Sequence, residues 1–147
     1  MQETRVAART LGLPLEIAAV RGRDEAESAF GTLVGADVDG LLVDEDLFNR
    51  TGPDVLAELA ARHRLPAMYT LREFVDAGGL MSYGANFVDA HRRGTAHIDK
   101  ILKGAKPADL PVEQPTTFDF VINLKAARAL GLTIPQEALM QATEVIQ

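Results

Sequence analysis

The sequence predicts an α/β fold, a doubly wound and mostly parallel sheet with helices on both faces. Short apolar, β-leaning runs alternate along the chain with amphipathic stretches of helical spacing, which is the signature of α/β order. One of those runs, Gly40-Leu41-Leu42-Val43, is apolar without a break, the mark of a strand covered on both faces. Right-handed crossovers between parallel strands then place the intervening helices on both faces of the sheet.

The 147 residues suit a single core of ordinary size, since domains commonly run to ~100–150 residues. Hydrophobic residues make up 47% and charged residues 24%, too apolar for a disordered chain. The absence of cysteine excludes a disulfide framework, a zinc ribbon and a thiol nucleophile. Fifteen basic against twenty-one acidic side chains leave a net charge of −6, and Lys and Arg form no stripe that could displace counterions, so nucleic acid is not an expected partner. No apolar run approaches ~18 residues, and Met1-Gln2-Glu3-Thr4-Arg5 lacks the plan of a signal peptide. A soluble, acidic globular unit is the expectation.

In chain order, Val6, Ala7, Thr10 and Leu11 recur at helical spacing over residues 2–12, and Gly12 suits the stop. Leu15–Val20 reads as a strand with Leu15, Ile17 and Ala19 on one face. Asp24-Glu25-Ala26-Glu27 resembles a capping box opening a helix whose apolar face is Ala26, Ala29, Phe30, Leu33 and Val34. After strand 40–43, Thr51-Gly52-Pro53 starts a helix with proline where its missing N–H costs least; Val55, Leu56, Leu59, Ala60 and His63 form its buried stripe. Pro66–Tyr69 is the next strand, and Thr70-x-x-Glu73 a second capping box over a short helix ending at Gly78-Gly79. Leu80–Tyr83 is strand-like and stops at Gly84. Residues 87–104 form a helix with a basic last turn and Gly104 as its cap. Pro107, Pro111 and Pro115 make 105–116 an extended connector, 117–122 a strand, and two final helices fall near 123–130 and 135–146.

In open α/β sheets ligands bind outside the carboxyl ends of the strands. Four loops meet there: Arg21-Gly22-Arg23, Asp44–Phe48, Tyr69–Glu73 and Tyr83–Asn86. Arginines, carboxylates and tyrosines together suit a small zwitterion. Each residue also has a plainer reading. Asp44, Glu45 and Asp46 read equally as a solvated loop start, Glu73 as the capping partner of Thr70, Arg72 as half of a surface ion pair, and Tyr69 as core. Tyr83, a bulky ring at a strand end beside Gly84, is harder to explain by packing. His63 lies on an apolar stripe, and His91 and His97, six apart, share no helix face, so no metal site follows. G-x-G-x-x-G, the P-loop, G-x-S-x-G and H-E-x-x-H motifs are absent, and Ser82 has no histidine near it in sequence. A phosphate-accepting receiver would need acidic residues where Arg21-Gly22-Arg23 stands.

From Arg64 onward several long strings occur in order: Leu65-Pro66-Ala67-Met68-Tyr69, Arg72-Glu73-Phe74-Val75, Gly78-Gly79-Leu80-Met81-Ser82-Tyr83-Gly84, the run Asp99–Pro115, and Val121-Ile122-Asn123-Leu124-Lys125 continuing to Leu132. They resemble the C-terminal half of the ABC-transporter substrate-binding proteins, a type I periplasmic family whose members include tryptophan and tyrosine binders. The resemblance spans essentially the whole chain and is strongest over 64–135. It implies two Rossmann-like lobes that clamp a solute and deliver it to an inner-membrane ABC permease, with a periplasmic location, no catalysis and no cofactor. Family members are about twice this long, so the chain is expected to be a fragment: a second lobe over 1–84, a crossing helix and connector over 85–116 that pack on a first lobe, and a return strand with C-terminal helices over 117–147.

On that resemblance the ligand-binding residues are Asp46, Tyr69, Arg72, Glu73, Tyr83 and Gly84. The tyrosines supply faces or hydroxyls, Arg72 a carboxylate partner, Asp46 or Glu73 an ammonium partner, and Gly84 a hinge. The loop Asp44–Phe48 departs from the apolar or proline-containing segment common in relatives, which leaves the solute class open. Helix 87–104 is expected to leave an apolar stripe uncovered and to drive self-association. The alternative function is a regulatory domain of similar fold, an effector-binding lobe or a receiver.

Overall fold

The computed structural model describes residues 2–44 and 52–147. Among the described residues five strands form one sheet: β1 (Leu41–Val43), β2 (Ala67–Tyr69), β3 (Met81–Ala85), β4 (Phe118–Asn123) and β5 (Glu144–Ile146). They lie in the order β1-β2-β3-β4-β5, parallel throughout except for the antiparallel pair β3/β4. The helices are α1 (Gln2–Leu11), α2 (Ala26–Gly35), α3 (Pro53–Arg62), α4 (Arg72–Asp76), α5 (Phe87–Leu102), α6 (Leu124–Leu130) and α7 (Gln136–Gln141).

Side-chain alternation and register divide the sheet into two faces. One carries Leu41, Val43, Ala67 and Tyr69, and α2, α3 and α4 cover it: Phe30, Leu56, Leu59, Ala60, Leu71 and Phe74 pack there with the strand residues. Pro53 occupies the first turn of α3, and the expected stripe is buried at Leu56, Leu59 and Ala60. His63 stacks on Phe30 at 6.0 Å between ring centroids. The other face presents the row Leu42, Met68, Met81, Ile122 and Val145. Ile122 is fully buried there, but Leu42 is 60% exposed.

Several expectations are corrected. Leu15–Val20 joins no strand ladder, and Leu15 and Ile17 stay exposed; Val20 packs against the core cluster. The pattern alone could not supply the neighbour a strand needs for its hydrogen bonds. Among the described strands β1 therefore lies at the edge of the sheet. Neither capping box forms: a 3-10 turn over Arg23–Glu25 precedes α2, the Glu25 carboxylate accepts from the Arg21 N–H at 2.9 Å, and α4 is capped by Leu71 without a side-chain bond. The last helix ends at Gln141, and Glu144–Ile146 instead pairs with β4. α5 ends as the basic turn and glycine suggest, with Gly104 at φ +101, a conformation L side chains rarely adopt.

Candidate functional site

Because β1, β2 and β3 run parallel, their carboxyl ends share one rim, and antiparallel β4 brings its first residues to the same rim. Asp44, Thr70, the stretch Gly84-Ala85-Asn86 and Thr117-Phe118 therefore converge there. The loop after β2 sits directly over β3: a Cβ built on Gly84 would lie 1.9 Å from the Thr70 carbonyl oxygen. Only glycine allows that approach.

Tyr83 is 52% exposed, and its ring stacks on Phe118 at 5.7 Å and meets Phe120 edge-on at 6.2 Å. Register puts Tyr83 opposite Phe120, so all three rings share the sheet face away from α2, α3 and α4. Phe118, itself 45% exposed, completes an aromatic shelf that the sequence reading did not name as part of the site. The Phe118-x-Phe120 spacing was its available signal.

Beside the shelf, hydrogen bonds stitch the start of α5 to the start of β4. The Asn86 N–H donates to the Thr117 carbonyl at 3.0 Å, its side-chain amide donates to Asp119 at 2.8 Å, and its side-chain oxygen accepts from the Asp89 N–H at 2.8 Å. Asp89 accepts from Arg92 and Arg93, each at 2.9 Å, and from the Thr117 hydroxyl at 3.2 Å. The Arg92 hydrogen bond first, then Arg93 and Thr117, hold the Asp89 carboxyl below its usual range against an opposing desolvation.

The expected ligand residues are not gathered as a set. Tyr69 is 1% exposed and stacks on Phe74 at 4.6 Å, on the core face of the sheet. Among the described residues its hydroxyl has no hydrogen-bond partner, and burial pushes the phenol well above its usual range. A ring so placed offers no shelf at the rim. Arg72 is bound within the chain: its two terminal nitrogens donate to the two carboxylate oxygens of Glu144, one at 2.9 Å, and Nε donates to Asp76 at 3.2 Å. These partners, Glu144 first, push the guanidinium further up, so the carboxylate partner assigned to Arg72 is already present in the chain. Glu73 is exposed on α4, Gly84 serves close packing at the rim, and Asp46 lies outside the described residues.

The Arg72–Glu144 fork ties α4 across the sheet to β5. Arg72 hydrogen bonding lowers the Glu144 carboxyl below its ordinary value of 4.5. A carboxyl lowered on folding adds stability above its ordinary value and loses that contribution as pH falls through the folded value. Thermal unfolding followed between about pH 5 and pH 3 should therefore show a steeper fall for the native chain than for Glu144→Gln. The pair is solvent-exposed, so the difference should be a few degrees at most. Parallel curves would show that the fork contributes nothing.

A groove of about 310 Å³ lies between α5 and the connector, lined by Ala90, Arg93, Gly94, His97, Pro111 and Pro115 among others. The rim combines exposed aromatic rings with a close backbone crossing. Among the described residues, no group of three His, Cys, Asp or Glu side chains could hold a metal ion. No helix there is long and apolar enough to cross a membrane.

Comparison with known proteins points the same way as the fold. A structure titled as the ABC domain in complex with L-Trp, from Streptococcus pneumonia, is 33% identical, with a TM-score of 0.87 over 99% of this chain and 50% of its own. A conserved domain protein from Vibrio cholerae O1 biovar El Tor superposes at a TM-score of 0.89 with 24% identity, over 98% of this chain and 48% of its own. The ligand-free, open structure of CD0873, a substrate-binding protein with adhesive properties from Clostridium difficile, gives 0.70 at 20% identity, over 99% and 48%. The chain thus spans about half the length of these proteins. No curated protein matches it. The model of the ABC transporter substrate binding protein family matches residues 1–146, so with strings, sheet and superpositions in agreement, the chain belongs to that family.

Proposed function

We propose that this chain is one lobe of the solute-binding component of an ABC importer, holding a small molecule such as an amino acid at the carboxyl ends of β1–β3 without catalysis. The exposed Tyr83 ring on its Phe118 neighbour carries the reading. An aromatic shelf at a strand-end rim suits a flat or zwitterionic solute, and a 33% identical relative is described with L-Trp. Asn86 and Asp119, hydrogen-bonded to each other at 2.8 Å, add polar atoms at the same rim. On this reading the partner is an inner-membrane permease and the compartment is the periplasm. Receptors of this class close two lobes over a solute, so one lobe should bind weakly.

The chain has no tryptophan, so added L-Trp can be followed by its own fluorescence anisotropy. Binding near ~1 mM, equivalent to about −4 kcal/mol, is the expected result. Tyr83→Ala should weaken it roughly tenfold, the upper range for an aromatic pair, while leaving the unfolding free energy within ~1 kcal/mol. Anisotropy that ignores protein concentration, together with no thermal shift from any of the common amino acids, would remove this reading.

α5 supports a second element of the proposal. None of its residues is buried, and Val88, Ile98 and Leu102 are 81%, 57% and 82% exposed. An uncovered stripe of this kind associates with another apolar surface, here a second copy. Sedimentation equilibrium should show a concentration-dependent dimer that Ile98→Glu weakens, and a monomer at every accessible concentration would refute it.

A further inference from the structure

The first residue of β4 is held differently from the rest of its strand. Val121 and Ile122 are 1% and 0% exposed, whereas Phe118 is 45% exposed and residues 111–117 before it are all exposed. Burial anchors the far end of β4 and leaves the end that carries the shelf ring to be fixed by polar contacts. α5 supplies them. Arg93 donates through a terminal nitrogen to the Thr116 hydroxyl and through Nε to an Asp89 carboxylate oxygen at 2.9 Å. The Thr117 hydroxyl donates to that same Asp89 oxygen at 3.2 Å. Two consecutive threonines are thus gripped from the first turns of one helix, and Phe118 follows them directly.

The Asp89 carboxylate is not spent on capping its own helix. Asn86-x-x-Asp89 has the spacing of a capping box, in which the carboxylate would reach back to the Asn86 N–H. That N–H donates instead to the Thr117 carbonyl, and the Asp89 carboxylate turns to Arg92, Arg93 and Thr117. Its side chain is 16% exposed, against 81% for that of Arg92. A carboxylate drawn this far out of water needs donors for its oxygens, and a charge-assisted set of them fixes its place.

We propose that Asp89 is a positioning residue for the aromatic shelf: by holding Thr117 it sets where the Phe118 ring stands against Tyr83, and through that ring the affinity for a flat solute. The effect on affinity rests on the solute reading given above; the effect on ring placement does not. Pairing of β3 with β4 ends at Ala85 and Phe118, so losing the grip frees Phe118 first. Phe120, opposite Tyr83 within the ladder, stays in place.

Nuclear Overhauser contacts in the intact chain test this, since Tyr83 is one of two tyrosines and the other is buried in the core. The native chain should show the Tyr83 ring in contact with both Phe118 and Phe120. Asp89→Ala should lose most of the Phe118 contact and keep the Phe120 contact. Thr117→Val, which keeps the side-chain shape and removes the donor, should do the same, and Asp89→Asn, which keeps an acceptor oxygen, should restore much of the Phe118 contact. Asp89→Ala and Thr117→Val should each weaken L-Trp binding roughly threefold, part of what an aromatic pair is worth, and their effects should not add. Lys103→Ala, which breaks the ion pair with Asp99 at the far end of α5, should change neither readout. An undisturbed Phe118 contact in Asp89→Ala overturns the proposal, and so does equal loss of the Phe120 contact, which would make Asp89 a general support of the fold. Unchanged L-Trp affinity with the rings parted overturns it as well. If the native chain binds no L-Trp, the solute reading fails by itself, and the ring contacts still decide whether Asp89 sets Phe118.

Discussion

Gly84→Ala is expected to destabilise the chain by at least ~3 kcal/mol, a large effect for the addition of one methyl group. The new Cβ would sit 1.9 Å from the Thr70 carbonyl oxygen and 3.0 Å from its carbon, both backbone atoms with no rotamer to yield. The loop cannot simply lift, because the next residue, Leu71, and Phe74 beyond it are 5% and 1% exposed and anchor α4 in the core. Relief would have to come from parting β3 from the β2 loop, which also displaces the rim beside Tyr83. Gly94→Ala is the matching control: nothing lies within 4 Å of its Cβ position in the middle of α5, and alanine there should stabilise by up to ~1 kcal/mol. Urea unfolding with unchanged slope checks both. A Gly84→Ala midpoint within error of the native chain would mean that the Thr70 carbonyl does not lie over β3.

Phe74→Ala should cost ~3–5 kcal/mol, because an aromatic side chain 1% exposed would leave a cavity its neighbours cannot collapse to fill. Its ring lies on Tyr69 at 4.6 Å and 8°, so the variant also removes a stacked partner, and a Phe74→Ala, Tyr69→Ala double variant should cost less than the sum of its parts. Tyr69→Phe separates the structural from the ligand role of this tyrosine. The hydroxyl is buried without a partner, so deleting it removes a desolvated polar group, and stability should stay level or rise by up to ~1 kcal/mol. L-Trp binding should be unchanged. Weaker binding by Tyr69→Phe at unchanged stability would return Tyr69 to the site and contradict its placement in the core.

These two variants show where local reading reaches its limit. The third helix was legible because its proline, its stripe and its length agree, and Leu56, Leu59 and Ala60 are buried as their spacing requires. The long helix after Asn86 was legible from a basic last turn and a glycine stop, signals that lie within one turn of the helix they describe. The first capping box gave way to a different local bond: the Glu25 carboxylate accepts from the Arg21 N–H, and a turn of 3-10 helix takes the place of the first α turn. Arg72 shows the same limit at the site. Its pattern matched a carboxylate partner, but Glu144 lies 72 residues away and no local signal announces the pair.

By itself the sequence determined the α/β class, most helix limits, the rim as the place where polar and aromatic side chains meet, and, through its long matching strings, the family. Those properties are written in periodicity, turn chemistry and residue order, which act over a few residues or are read directly. Only the tertiary structure decided that Tyr69 belongs to the core while Tyr83 faces outward with Phe118, that Arg72 is held by Glu144, and that β1 ends the described sheet. Which face a strand residue occupies depends on register, and register depends on neighbours contributed from elsewhere in the chain; shifting it by one residue turns every side chain over.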